Sequence, residues 1–153
     1  MARAPTETCS NEDTVNPLTD IGWLLATSYA RLTAQADKQL APLGLTAAQY
    51  GVVLLLARGD ASTSSELCRL MDYDRGAMTR LLQRLKTKGV LTPSPDPKDR
   101  RAQTLQLTEK GKLLHRQVQP TIDRLHQQAL GGLSQEEAKT LATLLCRVIH
   151  NLG

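Results

Sequence analysis

The chain has no phenylalanine, one tryptophan and three tyrosines among 153 residues. A core of large aromatic plates is excluded, and aliphatic side chains must fill the interior. The three cysteines, Cys9, Cys68 and Cys146, show no paired spacing and no CxxC. That argues against a disulfide frame or a zinc cluster and reads as reduced thiols. No apolar run approaches the roughly 18 residues of a membrane span. Residues 1–20 contain Arg3 with no apolar stretch behind it, and Glu7, Glu12, Asp13 and Asp20 lie among them. A secretory signal is therefore not expected, and a cytoplasmic protein with a loose leader is. There is no Gly-rich phosphate loop, no His/Asp/Ser set and no cluster of metal ligands, so neither catalysis nor a cofactor nor a metal is expected.

What is present is a well-stocked aliphatic chain, 41% hydrophobic and 22% charged, long enough for one domain with a real core. The net charge of +4 is weak, but it is unevenly placed. Residues 69–116 hold twelve basic side chains against five acidic ones, a surplus of seven. The remainder has seven basic against ten acidic, a deficit of three. A cationic middle between mildly anionic ends suggests a polyanionic partner, most often nucleic acid. A solvated helix face would show the same count.

Residues 1–17 are polar and end in Pro17, which reads as a flexible arm. From residue 18 the apolar positions Ile21, Leu24, Leu25, Leu32 and Leu40 recur at helical spacing, until Pro42 and Gly44 stop the pattern. Thr46 with Gln49 forms a capping box for a helix over 47–58, whose run Val52-Val53-Leu54-Leu55-Leu56 belongs in the centre of the core. Ser62 or Thr63 caps a short helix over 64–71 with Glu66 as the partner carboxylate. Asp72-Tyr73-Asp74 makes a turn and cap. A helix over 75–88 follows, with Met78, Leu81, Leu82 and Leu85 on one side and Arg75, Thr79, Arg80, Gln83, Arg84, Lys86 and Lys88 on the other. Gly89 stops it. Val90-Leu91-Thr92 and Thr104-Leu105-Gln106-Leu107 read as two short strands, with Pro93, Pro95 and Pro97 barring regular structure between them. Thr108 caps a long helix to about 129, which Pro120 should kink or restart. Ser134 and Glu137 form another capping box, and the last helix carries Leu141, Leu144, Leu145, Val148, Ile149 and Leu152. That stripe is core or a dimer seam.

Two helices across a tight turn, followed by a charged hairpin, define a winged helix-turn-helix. The fold expected is mainly α with a small β-hairpin wing. Arg75, Thr79 and Arg80 lie where such helices meet base edges, with Gln83 and Arg84 beyond them and Ser64 and Tyr73 on the preceding helix and turn. Arginine can fork onto guanine, and threonine can touch a thymine methyl or a phosphate. The hairpin tip carries Lys98, Arg100 and Arg101, cations suited to phosphates or a minor groove, with Asp99 beside them to orient an arginine or cap the turn.

These residues carry a resemblance. The stretch Asp74-Arg-Gly-Ala-Met-Thr-Arg-Leu-Leu-Gln-Arg-Leu-Lys-Thr-Lys-Gly-Val, then Asp96-Pro-Lys-Asp-Arg-Arg-Ala, then Leu107-Thr-Glu-Lys-Gly111, resembles the signature of the MarR family of transcriptional regulators. Asp99 and Arg101 match the wing's Asp-x-Arg; Leu107, Thr108 and Gly111 match its Leu-Thr-x-x-Gly; Gly44-Leu-Thr-x-x-Gln-Tyr50 matches the turn into the second helix. The similarity runs from about 18 to 152. It implies an intertwined homodimer built on helices at about 18–43 and 108–152, with winged lobes at about 46–107 presented to a pseudo-palindromic double-stranded DNA operator. It implies a repressor released by a small aromatic or phenolic acid, or by thiol oxidation. Thr92-Pro93-Ser94 departs from the family, which often carries a cation there. The implied effector pocket lies between the dimerisation helices and the winged lobe, near Trp23, Ser28, Tyr29, Arg31 and Tyr50, where an aromatic wall with an arginine suits a planar carboxylate. Ordinary core aromatics and a surface arginine would leave the same residues. His115, His126 and His150 read as exposed helix histidines, and Cys146 with His150 offers too few ligands for a metal. The reading of another class is a helical protein-interaction module that does not bind DNA.

Overall fold

The computed structural model describes residues 15–95 and 103–153. The hairpin-tip residues Lys98, Asp99, Arg100 and Arg101, and Cys9 of the N-terminal arm, lie outside the described residues. The first helix, α1 (Pro17–Leu40), opens on Asn16, whose side chain accepts the Leu18 N–H at 3.0 Å. Pro17 is thus the first helical residue, not the end of the arm. Proline has no N–H to leave unsatisfied there, and its fixed φ suits a helix start. A 3₁₀ turn, Ala41–Leu43, closes on left-handed Gly44 (φ 67°).

The helix α2 (Ala47–Arg58) is held by the Thr46/Gln49 capping box and by Asp37 of α1, which accepts the Ala47 N–H at 2.6 Å. Its Val52 and Val53 are fully buried, but Leu54, Leu55 and Leu56 of the same run are only half-buried and pack against the core from its edge, because a helix cannot turn five successive residues to one side. Gly59 (φ 76°) ends it. Thr63, rather than Ser62, caps α3 (Ser64–Met71); both residues nonetheless donate their backbone N–H to the Glu66 carboxylate, at 2.7 and 2.9 Å. Left-handed Asp72 (φ 53°) turns the chain, and Asp74 caps α4 (Arg75–Thr87) by accepting from the Ala77 N–H.

The wing pairs β1 (Leu91–Pro95) with β2 (Gln103–Leu107), antiparallel, Leu91 opposite Leu107 and Pro93 opposite Leu105. The prolines therefore do not bar the strand. Thr108 donates to the Val90 carbonyl, so even-numbered residues of β1 face β2 and odd-numbered ones turn their backbone outward. Pro93 and Pro95 fall on the outward set, where a missing donor costs no ladder bond. The same alternation turns the Leu105 N–H away from β1, and it donates to the Ser62 carbonyl at 2.7 Å. The wing is thereby sewn to the loop before α3.

The helix α5 (Glu109–Ala129) runs through Pro120 as one element and buries Val118, Ile122 and Leu125 against α1 and α2. The last helix, α6 (Gln135–Leu152), buries none of its residues. Ile149 is 69% exposed and Leu152 is 82% exposed, and Leu18 of α1 is 94% exposed. Among the described residues, no single helix is long and apolar enough to cross a membrane.

Three carboxylates in the first turns of helices are held below the usual range. For Glu66 and Glu137 the cause is the hydrogen bonds of the cap, backbone first; for Glu109 it is the hydrogen bond from Lys112, then its charge. Each binds a proton less readily folded than unfolded, so its stabilisation is complete above about pH 4.5 and disappears as pH falls below that value. In melting curves, Glu66→Gln is expected to lower Tm at pH 7, with the gap from the unsubstituted protein closing by pH 3. A gap that persists in acid would show that the carboxylate charge is not what holds α3.

Candidate nucleic-acid interface

The helix α4 is divided by its own periodicity. Met78, Leu81, Leu82 and Leu85 are buried against α2, α3 and β1; Arg75, Thr79, Arg80, Gln83, Arg84 and Lys86 are exposed on the other side. The exposed set projects from a helix anchored along its whole apolar stripe, so its side chains are displayed on a rigid element. The ion pair among the described residues is Lys112–Glu109, at 2.7 Å. Arg75, Arg80, Arg84 and Lys86 thus have no carboxylate partner among those residues, and their donors are available to an external acceptor. Thr79 is different. Its hydroxyl donates to the Arg75 carbonyl at 2.7 Å. With that proton committed, Thr79 offers a methyl group rather than a donor to phosphate.

Ser64 stands exposed as the first residue of α3, and Tyr73 is half-buried in the turn, packed against the core. A cleft of about 180 Å³ separates α4 from the start of α2, lined by Thr46, Gln49, Ala77, Arg80 and Arg84 among others. Lys88 and Lys110, both in the cationic segment, are exposed but bonded within the chain: Lys88 Nζ donates to the Gly44 carbonyl and to Gln49 Oε1, and Lys110 Nζ donates to the Lys88 carbonyl. A charge count cannot see this, because it depends on which backbone acceptors the fold brings near.

The five residues read as an effector site fall into three places. Ser28 and Arg31 line a cleft of about 330 Å³ between α1 and α5. Tyr29 and Tyr50 line an adjoining apolar cavity of about 160 Å³, which shares Leu32 and Leu125 with the first. Trp23, 38% exposed, lines neither. Tyr50 is buried and already employed. Its hydroxyl donates to Gln119 Oε1 at 2.8 Å, lies 3.3 Å from His115 Nδ1, and Gln119 Nε2 in turn donates to Asp123 at 2.7 Å. Burial, then the Asp123 charge, raises the phenol's pKa above its ordinary value, with Arg58 opposing.

His115 is therefore not an exposed helix histidine. It is half-buried, stacked on Tyr50 at 5.9 Å between ring centroids. It also lines a cavity of about 500 Å³ between the end of α2, strand β2 and α5, together with Ser62, Gln106, Lys112 and Arg116. The sequence reading missed this cationic cavity. Its signal was present, since 112, 115 and 116 share a helix face, but the facing wall comes from α2 and β2, far away in the chain. Of the two cysteines described, Cys68 is half-buried on α3 and Cys146 is exposed on α6.

Comparison with known proteins points the same way. A family model described as the MarR family matches residues 43–102, which span α2, the helix-turn-helix and β1. The multiple antibiotic resistance protein MarR of Escherichia coli is 31% identical over 141 residues, covering 92% of this chain and 98% of that protein. A mutant of E. coli MarR solved in complex with operator DNA superposes with a TM-score of 0.73 at 32% identity, over 90% of this chain and 99% of that one. BpsR of Bordetella bronchiseptica, whose DNA binding is regulated by 6-hydroxynicotinic acid, superposes with a TM-score of 0.74 at 29% identity, over 84% and 98%. The winged helix-turn-helix, the capped order of its elements and this likeness across nearly the whole chain agree: the protein belongs to the MarR family of transcriptional regulators, and is not an enzyme.

Proposed function

We propose that the chain is a cytoplasmic, sequence-specific double-stranded-DNA-binding regulator, a repressor that grips a pseudo-palindromic operator as a homodimer. The observation that carries this is the exposed arginine face of α4, free of carboxylate partners among the described residues, on a helix anchored by its other face. Arg75, Thr79, Arg80, Gln83 and Arg84 would meet base edges, Ser64 and Tyr73 would flank them at the backbone, and Lys98, Asp99, Arg100 and Arg101 would extend the contact from the wing. The homodimer is supported by α6, which leaves Leu141, Leu144, Ile149 and Leu152 exposed, and by the start of α1, where Leu18 and Ile21 are exposed as well. Small-molecule control is supported by the regulated relative. The chemistry it suggests is a small aromatic acid, with Arg31 and Ser28 to hold the carboxylate in the α1–α5 cleft and Tyr29 nearby. The cavity with Lys112, His115 and Arg116 supports a second placement for the same ligand, because it is larger and gathers more cationic donors.

Titration of the DNA upstream of the protein's own gene by mobility shift tests the proposal. A retarded complex is expected whose affinity falls roughly a thousandfold or more between 50 and 200 mM salt. Its size should match a dimer on one operator. Binding that is equally strong on unrelated DNA, or a monomer on a sizing column, would reject the model. Adding aromatic acids should release the complex. Retained binding in Arg31→Ala places the ligand in the α1–α5 cleft, and retained binding in Arg116→Ala places it beside the wing. Release by peroxide, reversed by a thiol reductant, would instead support cysteine control.

A further inference from the structure

The C-terminal end of α4 is tied to two separate bodies by two lysines. Lys88 is the cap residue of α4. Its ammonium donates to the Gly44 carbonyl, at the turn that ends α1, and to Gln49 Oε1 at 3.0 Å. Gln49 is itself buried, and its side-chain oxygen also accepts the Thr46 N–H in the capping box of α2. From the opposite side, Lys110 Nζ donates to the Lys88 carbonyl at 2.6 Å, linking the first turn of α5 to the same cap. Cations at carbonyl-bearing helix ends satisfy orphan acceptors and complement the dipole. Here they also bridge: one lysine joins α4 to the α1–α2 turn, the other joins it to α5.

We propose that Lys88 and Lys110 are positioning residues that set the pitch of the recognition helix relative to α1 and α5, and that neither is a phosphate contact. The inference rests on the DNA-binding reading above. Both side chains are exposed, yet each ammonium would have to abandon acceptors on its own chain to reach a phosphate. The helix α4 has 13 residues, roughly 20 Å, so releasing one end and tilting it by about 5° displaces the other end by roughly 2 Å. In a dimer that error enters twice, and it changes the separation of the two recognition helices. That separation is what matches half-site spacing.

The test compares Lys88→Met and Lys110→Met with the unsubstituted protein on operators whose half-site spacing is varied by one base pair, each over a range of salt. At fixed salt, affinity for the native spacing should fall about tenfold in either variant. The slope of log K against log salt should stay the same, and the preference for native spacing should flatten. If the slope instead becomes shallower by about 1.8, two phosphates per dimer, with spacing preference intact, the lysines contact DNA and the proposal is wrong. Unchanged affinity would reject it as well. A measurement on the unsubstituted protein covers variants that do not fold. In amine acetylation read by mass spectrometry, Lys88 and Lys110 should react about tenfold more slowly than Lys86 in free protein, with no added protection on DNA. Equal rates, or new protection by DNA, would overturn the clamp. If the unsubstituted protein shows no salt-dependent operator binding, it is the DNA-binding reading that fails, and slow acetylation of the two lysines still reports the clamp separately.

Discussion

Replacing Arg80 by alanine is expected to weaken operator binding about a thousandfold while leaving the melting temperature nearly unchanged. Arg80 is exposed, lies in the first half of α4 and has no carboxylate partner among the described residues. Its removal therefore costs the fold little. An arginine forked on a base edge contributes about 1–3 kcal/mol of discrimination, and a homodimer uses two copies. At about 2 kcal/mol each, the loss is near 4 kcal/mol, or roughly a thousandfold. Binding to unrelated DNA should fall far less, because it draws on phosphate contacts alone. A mobility-shift comparison of operator and scrambled DNA decides the matter. A loss equal on both would make Arg80 a backbone contact, and no loss on either would remove α4 from the interface.

Replacing Gly111 by alanine is expected to destabilise the protein by about 3 kcal/mol, a drop in Tm of roughly 6–12 °C. Two effects oppose each other. Alanine is the better helix former, by about 1 kcal/mol. Against this, a Cβ at 111 would overlap the Val90 carbonyl oxygen, which is backbone and cannot swing aside. Relief requires α5 to lift away from the wing. That strains the Thr108 hydroxyl bond to the Gly89 carbonyl and the Thr108 N–H bond to the same Val90 oxygen. The overlap wins because no rotamer can absorb it. Gly51→Ala makes the contrast. Its Cβ would meet the end of the flexible Met71 side chain at 3.2 Å, so a change below about 1 kcal/mol is expected there. Thermal melts of the two variants at one protein concentration check both. A Gly111→Ala protein as stable as its parent would mean that α5 does not pass tightly over the wing.

The Gly111 contact also gives a physical meaning to the Leu107-Thr108-x-x-Gly111 pattern. Thr108 caps α5 through the Gly111 N–H and donates to the chain end of α4, while Gly111 permits the close approach. The sequence marks the spacing; the reason for the glycine lies twenty-one residues upstream.

Local signals were legible because they act over a turn or less. Capping boxes at Thr46, Thr63 and Ser134, the stops at Gly59 and Gly89, and the buried and exposed sides of α4 all follow from neighbours within four residues. Where the sequence reading erred, the deciding partner was remote. Pro93 and Pro95 join a strand because the register with β2 turns them outward. His115 is half-buried because α2 brings Tyr50 against it. By composition and periodicity alone, the sequence determined a mainly aliphatic core, the helical spans and a cationic winged helix-turn-helix. Only the tertiary structure decided which exposed cations stand without an acceptor on the described chain and which, like Lys88 and Lys110, tie elements together, because an ammonium's role is set by the acceptors within about 3 Å of it, and those come from distant parts of the chain.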